Sequence, residues 1–132
     1  MVKRAVTSLV SLFWMAIATP LAAAELVMVE QKGCTYCMEW HAVIGPIYPQ
    51  SPEGAFAPLR RVDLRDGAPD GMTFDRKVSF TPTFILVENG RELGRIEGYP
   101  GEDFFWGLLG MMLKAKTDYQ APTAASSAQR QG

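Results

Sequence analysis

Two cysteines, Cys34 and Cys37, are the residues whose type and spacing could carry chemistry. They are the only cysteines among 132 residues, and Thr35 and Tyr36 separate them. The apolar run at residues 26–30 is typical of a buried strand, and a helical pattern begins at the first cysteine. The free N–H groups and the dipole at the start of a helix favour a thiolate over a thiol. The pattern therefore predicts a redox-active pair in which Cys34 is the attacking thiolate and Cys37, one turn further on, resolves.

The first 24 residues have the layout of a secretory signal peptide. Lys3 and Arg4 form a short positive region, residues 5–18 are apolar and uncharged, and residues 22–24 are an A-x-A cleavage signal. We therefore expect residues 1–24 to be removed on export to a bacterial periplasm. An uncleaved membrane anchor is the alternative, although the apolar run is shorter than the roughly 20 residues that span a bilayer.

Export changes what the cysteine pair implies. In an oxidising compartment an isolated pair is expected to be disulfide-bonded unless another protein reduces it. A purely structural disulfide is the alternative, but a bridge across two residues closes a very small loop and removes little entropy from the unfolded chain. A reactive disulfide is the favoured interpretation.

The elements around the pair predict one α/β domain over residues 25–116. Apolar runs bounded by turn residues predict four strands, at residues 26–30, 59–64, 84–87 and 91–97. Helical patterns predict three helices, at residues 34–44, 73–78 and 102–116. Asn89-Gly90 is a hairpin signal between the last two strands. We expect a mixed four-stranded sheet with flanking helices, followed by a disordered tail at residues 117–132.

This order of elements, with C-x-x-C opening the first helix and Thr81-Pro82 before the third strand, resembles the thioredoxin fold. In thioredoxin-like proteins the proline at that position is cis and faces the disulfide. The resemblance implies that Pro82 is cis and that Thr81 offers its backbone to an extended substrate segment. A trans proline that opens an ordinary strand is the alternative. Tyr36, between the cysteines, is expected to be exposed and to contact a partner.

Within that superfamily, residues 31–40, 61–65 and 97–106 are similar to the SoxS type, small periplasmic thioredoxins encoded with bacterial sulfur-oxidation systems. The resemblance implies a thiol-disulfide oxidoreductase that keeps partner thiols reduced. It also implies protein disulfide substrates, a membrane thiol transporter as electron donor, and no cofactor. We expect a monomer, and the net charge of −1 argues against a nucleic-acid partner.

One position departs from the thioredoxin pattern. Typical thioredoxins carry a buried aspartate six residues before the first cysteine, where this chain has Met28. Glu30, Glu39 or a water molecule reaching Cys37 could take over its part in proton transfer. His41 lies four residues after Cys37 and could serve as a proton relay, with a partly exposed helix histidine of no special role as the alternative.

Two other classes of function stay open. The cysteine thiolates, with Met38 and His41 nearby, would suit Cu(I) in a periplasmic copper carrier. The candidate ligands are too few for a strong zinc site, and a c-type haem is excluded because Met38 follows the second cysteine, so we expect no metal. A redox-inactive binding module is the third class.

Whether certain aromatic and arginine side chains lie in the core or on the surface is harder to predict. Four aromatic residues are predicted to lie in the core, with a partner-binding surface as the alternative: Trp40, Phe104, Phe105 and Trp106. Arg60 and Arg61 indicate a solvated strand edge, with a position for Arg61 beside the cysteine pair left open.

Overall fold

The computed structural model describes residues 23–123. The strands are β1 (Glu25–Glu30), β2 (Leu59–Asp63), β3 (Thr83–Glu88) and β4 (Arg91–Glu97), and the helices are α1 (Thr35–Val43), α2 (Pro52–Phe56) and α3 (Glu102–Lys116). The sheet has the order β2-β1-β3-β4. Strand β1 pairs parallel with β2 and antiparallel with β3, and β4 pairs antiparallel with β3. The predicted mixed four-stranded sheet with flanking helices is confirmed.

The two central strands are buried on both faces, which explains their continuous apolar sequences. On β1, Leu26 and Met28 join a main core with the helices, whereas Val27 and Val29 join a second core on the opposite face. The apolar side chains of β3 alternate in the same way. Both faces of this strand pair therefore hold β1 in place just before the cysteines.

The main core is built around aromatic rings from α1, β3 and α3. The Trp40 ring lies 5.3 Å from that of Phe84 and 5.7 Å from that of Phe105, centroid to centroid. Trp106 is partly buried against the same core. The prediction that Phe104 is buried is wrong, because its side chain is 70% exposed. Successive helix residues point about 100° apart, so the orientation of α3 that buries Phe105 directs Phe104 outward.

The hairpin between β3 and β4 forms as predicted. Asn89 and Gly90 both have positive φ, 54° and 73°, as the tightest hairpin turns require. A Cβ at Gly90 would lie 2.2 Å from the carbonyl oxygen of Gly71, so this turn also packs against the preceding loop.

The predicted helix at residues 73–78 is wrong. The Thr73 N–H donates to the Gly90 carbonyl (2.7 Å), and the Glu92 N–H donates to the Thr73 carbonyl (3.2 Å). The Asp75 N–H donates to a Glu92 side-chain oxygen at 2.7 Å. These bonds to the hairpin occupy backbone groups that a helix would have used, and the segment is therefore a loop.

Residues that follow the expected end of the domain at residue 116 still pack against it. Helix α3 ends at Lys116, but Tyr119 is 5% exposed and its ring lies 5.2 Å from that of Phe56. Residues 124–132 of the expected tail, and residues 1–22 of the expected signal peptide, lie outside the described residues. No helix in the described part of the chain is both long and apolar enough to span a membrane.

Candidate active site

The cysteines lie where β1 turns into α1. Gly33 takes φ +80°, which glycine adopts without strain, and turns the chain into the helix. Cys34 is the N-cap residue, and its Sγ accepts a hydrogen bond from the Cys37 N–H at 3.1 Å. The two cysteines form a disulfide, with their Cα atoms 5.2 Å apart. The leading sulfur is therefore at the positive end of the helix dipole, where a thiolate is stabilised.

The two sulfur-bearing residues differ in exposure. Cys37 is 4% exposed and belongs to the main core, whereas Cys34 is half-buried and packs against its edge. A large reagent or a partner protein therefore has better access to Cys34 than to Cys37.

The Thr81-Pro82 segment lies near the turn that precedes the cysteines. The peptide bond between these residues is cis. Pro82 is buried, and its carbonyl oxygen accepts from the Gly98 N–H at 2.7 Å. Thr81 is half-buried, and its Oγ1 accepts from Gln31 Nε2 at 2.9 Å. This last bond brings together two motifs that are far apart in the sequence.

Gln31 is a site residue that the sequence did not single out. Its partner is 50 residues away, and no local pattern indicates such a bond. Tyr36, by contrast, is 60% exposed, as its place between the cysteines predicted.

A groove of about 510 Å³ runs beside the disulfide. Both cysteines line it, together with residues 30–33, two side chains of α1 and residues 61–63 of β2. Glu30 is the central polar residue: its Oε2 lies 2.6 Å from His41 Nε2, and its Oε1 accepts from Arg61 Nε at 3.0 Å and from Nη2 of the same side chain. Three elements thus place a carboxylate, an imidazole and a guanidinium in the groove that both cysteines line.

The charges in this groove stabilise one another. Burial by itself raises the pKa of Glu30, but hydrogen bonds from Arg61 and His41 outweigh burial and hold that pKa below its ordinary value. Glu30 is therefore ionised at neutral pH. Arg61 is exposed, as expected for a strand edge, yet its head group pairs with this carboxylate.

The residues proposed to replace the missing aspartate are now distinguished by position. Met28 is fully buried in the main core and has no ionisable group. Glu39 is exposed and is absent from the residues that line the groove, whereas Glu30 and His41 both line it.

A second cavity, of about 950 Å³, lies away from the cysteines. Its apolar wall includes Val29, Leu64, Met72, Phe74 and Val78 on the side of the second core. Within residues 23–123, no group of three or more His, Cys, Asp or Glu side chains is arranged to hold a metal ion.

The sheet order, together with a C-x-x-C disulfide at the start of α1, defines a thioredoxin-fold thiol-disulfide oxidoreductase. One solved structure, a thioredoxin-fold protein from Helicobacter pylori, is similar in fold at 14% identity and a TM-score of 0.55; the match covers 82% of this chain and 79% of that one. A second, the periplasmic thioredoxin SoxS from Paracoccus pantotrophus, is 49% identical with a TM-score of 0.68, over 69% of this chain and 96% of that one. The chain belongs to the thioredoxin family of the SoxS type. No family model and no curated protein matches it.

Proposed function

We propose that the protein is a periplasmic reductase of protein disulfides that serves a sulfur-oxidation system. The similarity to a periplasmic SoxS and the expected signal peptide at residues 1–24 support this location. A membrane thiol transporter would return electrons to the cysteine pair, since the periplasm has no reducing thiol buffer of its own.

The difference in position between the two cysteines carries the proposed mechanism. The Cys34 thiolate, at the helix N-terminus and accessible, attacks a sulfur of the substrate disulfide and releases one substrate thiol. Cys37, 4% exposed, then attacks Cys34 Sγ in the mixed disulfide and releases the second thiol. Two electrons pass to the substrate, and Cys34 and Cys37 end as the observed disulfide.

Tyr36, Thr81 and Pro82 would bind the substrate segment around its disulfide. Tyr36 is 60% exposed, and Phe80, which directly precedes Thr81, is 63% exposed. Large exposed aromatic side chains are common at protein interfaces, because they bury much apolar area at a small entropic cost. An extended partner segment could contact Phe80 while it pairs with the backbone of Thr81.

Differential alkylation of the reduced full chain tests the assignment of the two cysteines. We expect iodoacetamide at neutral pH to modify Cys34 well before Cys37, as followed by mass spectrometry of the intact protein and its peptides. Faster modification of Cys37 would contradict the proposed mechanism.

A trapping experiment tests the substrate class. Cys37→Ser keeps the attacking sulfur and should accumulate mixed disulfides with periplasmic partners, whereas the matched variant Cys34→Ser should capture none. The partners are identified by mass spectrometry after reduction. Reduction of insulin disulfides by the wild-type protein with dithiothreitol separates a reductase from a copper carrier or a redox-inactive binding module, which would give no reduction above dithiothreitol alone.

A further inference from the structure

The resolving step poses a problem of proton transfer. Cys37 must lose its proton before it can attack Cys34 Sγ, because the thiolate is the nucleophile. It is 4% exposed, so its contact with solvent is limited to the groove that it lines. The side chain that occupies the position of the usual buried acid, Met28, cannot accept a proton.

The groove beside Cys37 supplies a different proton acceptor. His41 follows Cys37 by four residues on α1, so the two side chains lie one above the other on the same face of the helix. The imidazole contacts Glu30 through Nε2 (2.6 Å), so Nδ1 is the ring nitrogen that remains for proton exchange. A neutral ring that donates its Nε2 proton to the carboxylate has its acceptor lone pair on Nδ1.

Arg61 shares the Glu30 carboxylate with His41. It pairs with Oε1 of Glu30 while His41 occupies Oε2, so the charge of the carboxylate is already balanced by the guanidinium. The other charged groups that line the groove are Lys32 and Asp63, and the Asp63 carboxylate is held by Arg65 through bonds of 2.9 to 3.1 Å. Glu30 is therefore the carboxylate that orients the imidazole.

We propose that His41, oriented by Glu30, accepts the proton of the Cys37 thiol during resolution. This inference rests on the proposed function, in which Cys37 is the resolving cysteine. The S–H proton moves to the imidazole, the thiolate forms a bond to Cys34 Sγ, and the bond between Cys34 and the substrate sulfur breaks. The departing substrate thiolate takes a proton from the imidazolium or from water, which regenerates the neutral ring. Glu30 is a positioning residue in this step.

The aromatic disulfide DTNB separates the two chemical steps in the reduced full chain. Attack by Cys34 releases a first coloured thiolate, and attack by Cys37 on the resulting mixed disulfide releases a second. We expect His41→Gln to leave the first phase unchanged and to slow the second about a hundredfold near neutral pH, the low side of what positioned acid–base groups contribute. The difference should vanish at high pH, where hydroxide removes the proton instead.

Two further variants separate proton transfer from a structural role. Glu30→Gln should slow the second phase by less than His41→Gln, because the imidazole is present but no longer oriented by a carboxylate. Glu39→Gln, the same substitution at an exposed position of α1, is the matched control and should behave as wild type. Imidazole added to the solution should partly restore the second phase of His41→Ala, which a structural defect would not allow.

Each outcome has a distinct meaning. A second phase with wild-type rate and pH profile in both His41→Gln and Glu30→Gln would overturn the relay, as would equal slowing by Glu39→Gln. A first phase of wild-type rate in Cys34→Ser would instead contradict the proposed function, because it would show that Cys34 is not the attacking thiolate.

Discussion

The buried ion pair on β4 gives the most quantitative prediction. Arg95 and Glu92 are joined by two hydrogen bonds, 2.6 Å from Nε and 2.8 Å from Nη2, and their side chains are only 5% and 2% exposed. Glu92 also accepts the Asp75 N–H at 2.7 Å, and Arg95 Nη2 donates to the Arg76 carbonyl at 2.9 Å. The pair therefore connects the loop at residues 73–76 to the sheet through hydrogen bonds to the loop backbone.

Removal of one charge should be costly. The loss of one partner from a buried ion pair typically costs about 3–5 kcal/mol. After the loss of Glu92, Glu97, whose Oε1 lies 3.9 Å from Arg95 Nη1, compensates the guanidinium only in part. We expect Glu92→Gln to lower the free energy of unfolding by about 3 kcal/mol, because the amide oxygen can still accept one hydrogen bond. Simultaneous replacement of Glu92 and Arg95 by leucine should cost less than this, since no buried charge is left behind.

The same pair makes stability depend on pH. Burial alone raises the pKa of Glu92, but the bonds from Arg95 and from the Asp75 N–H outweigh it and hold the pKa below the ordinary 4.5. A carboxylate whose pKa is lowered by folding contributes stability that is present above the unfolded pKa and lost as pH falls through the folded value. The difference between wild type and Glu92→Gln should therefore be greatest near neutral pH and shrink below pH 4.5.

Urea unfolding followed by circular dichroism measures these differences. With a slope of about 1–3 kcal/mol per M urea, the expected loss lowers the midpoint by about 1–3 M. Glu88→Gln, a carboxylate at the partly exposed end of β3, is the matched control and should change stability by less than about 0.5 kcal/mol. A midpoint for Glu92→Gln equal to that of the control, or a difference that does not change with pH, would refute the reasoning.

Two further predictions concern the segment between α1 and β2. The Tyr48 hydroxyl donates to the Ala57 carbonyl at 2.6 Å within the core, so Tyr48→Phe should cost about 1–3 kcal/mol in urea unfolding. The exposed counterpart Tyr36→Phe should cost less than about 0.5 kcal/mol, and equal costs would contradict the role of this bond. A Cβ at Gly54 would lie 1.8 Å from the Tyr48 carbonyl oxygen, so Gly54→Ala should lower the melting temperature. The control is Gly107→Ala on α3, where a Cβ meets open space; it should raise the melting temperature by the equivalent of up to about 1 kcal/mol. A stabilising Gly54→Ala would show that the contact with the Tyr48 carbonyl is relieved at no cost.

Several features of the fold could be predicted because their causes are local. The hairpin at Asn89-Gly90 depends on two residues that tolerate positive φ. The position of Cys34 at the start of α1 depends on an apolar strand, a glycine turn and a helical pattern that are adjacent in the chain. Sterics and hydrogen bonding between near neighbours determine these features, so the residues themselves are sufficient evidence.

The loop at residues 73–78 and the surface position of Phe104 could not be predicted in this way. The loop depends on bonds to the hairpin at Gly90 and Glu92, and these exist only once β4 is in place. The exposure of Phe104 depends on which face of α3 packs against the sheet. Local propensity favours a helix or a buried ring at these positions, and tertiary contacts override it.

The sequence by itself determined the reactive pair: two cysteines, their spacing, and the helix start that distinguishes Cys34 from Cys37. Only the tertiary structure decided what surrounds that pair, because Glu30, His41 and Arg61 come from β1, α1 and β2 and meet through the pairing of two strands beneath a helix. Which side chains meet across separate elements depends on strand order and register, and these are set by the packing of the whole core rather than by any neighbouring residues.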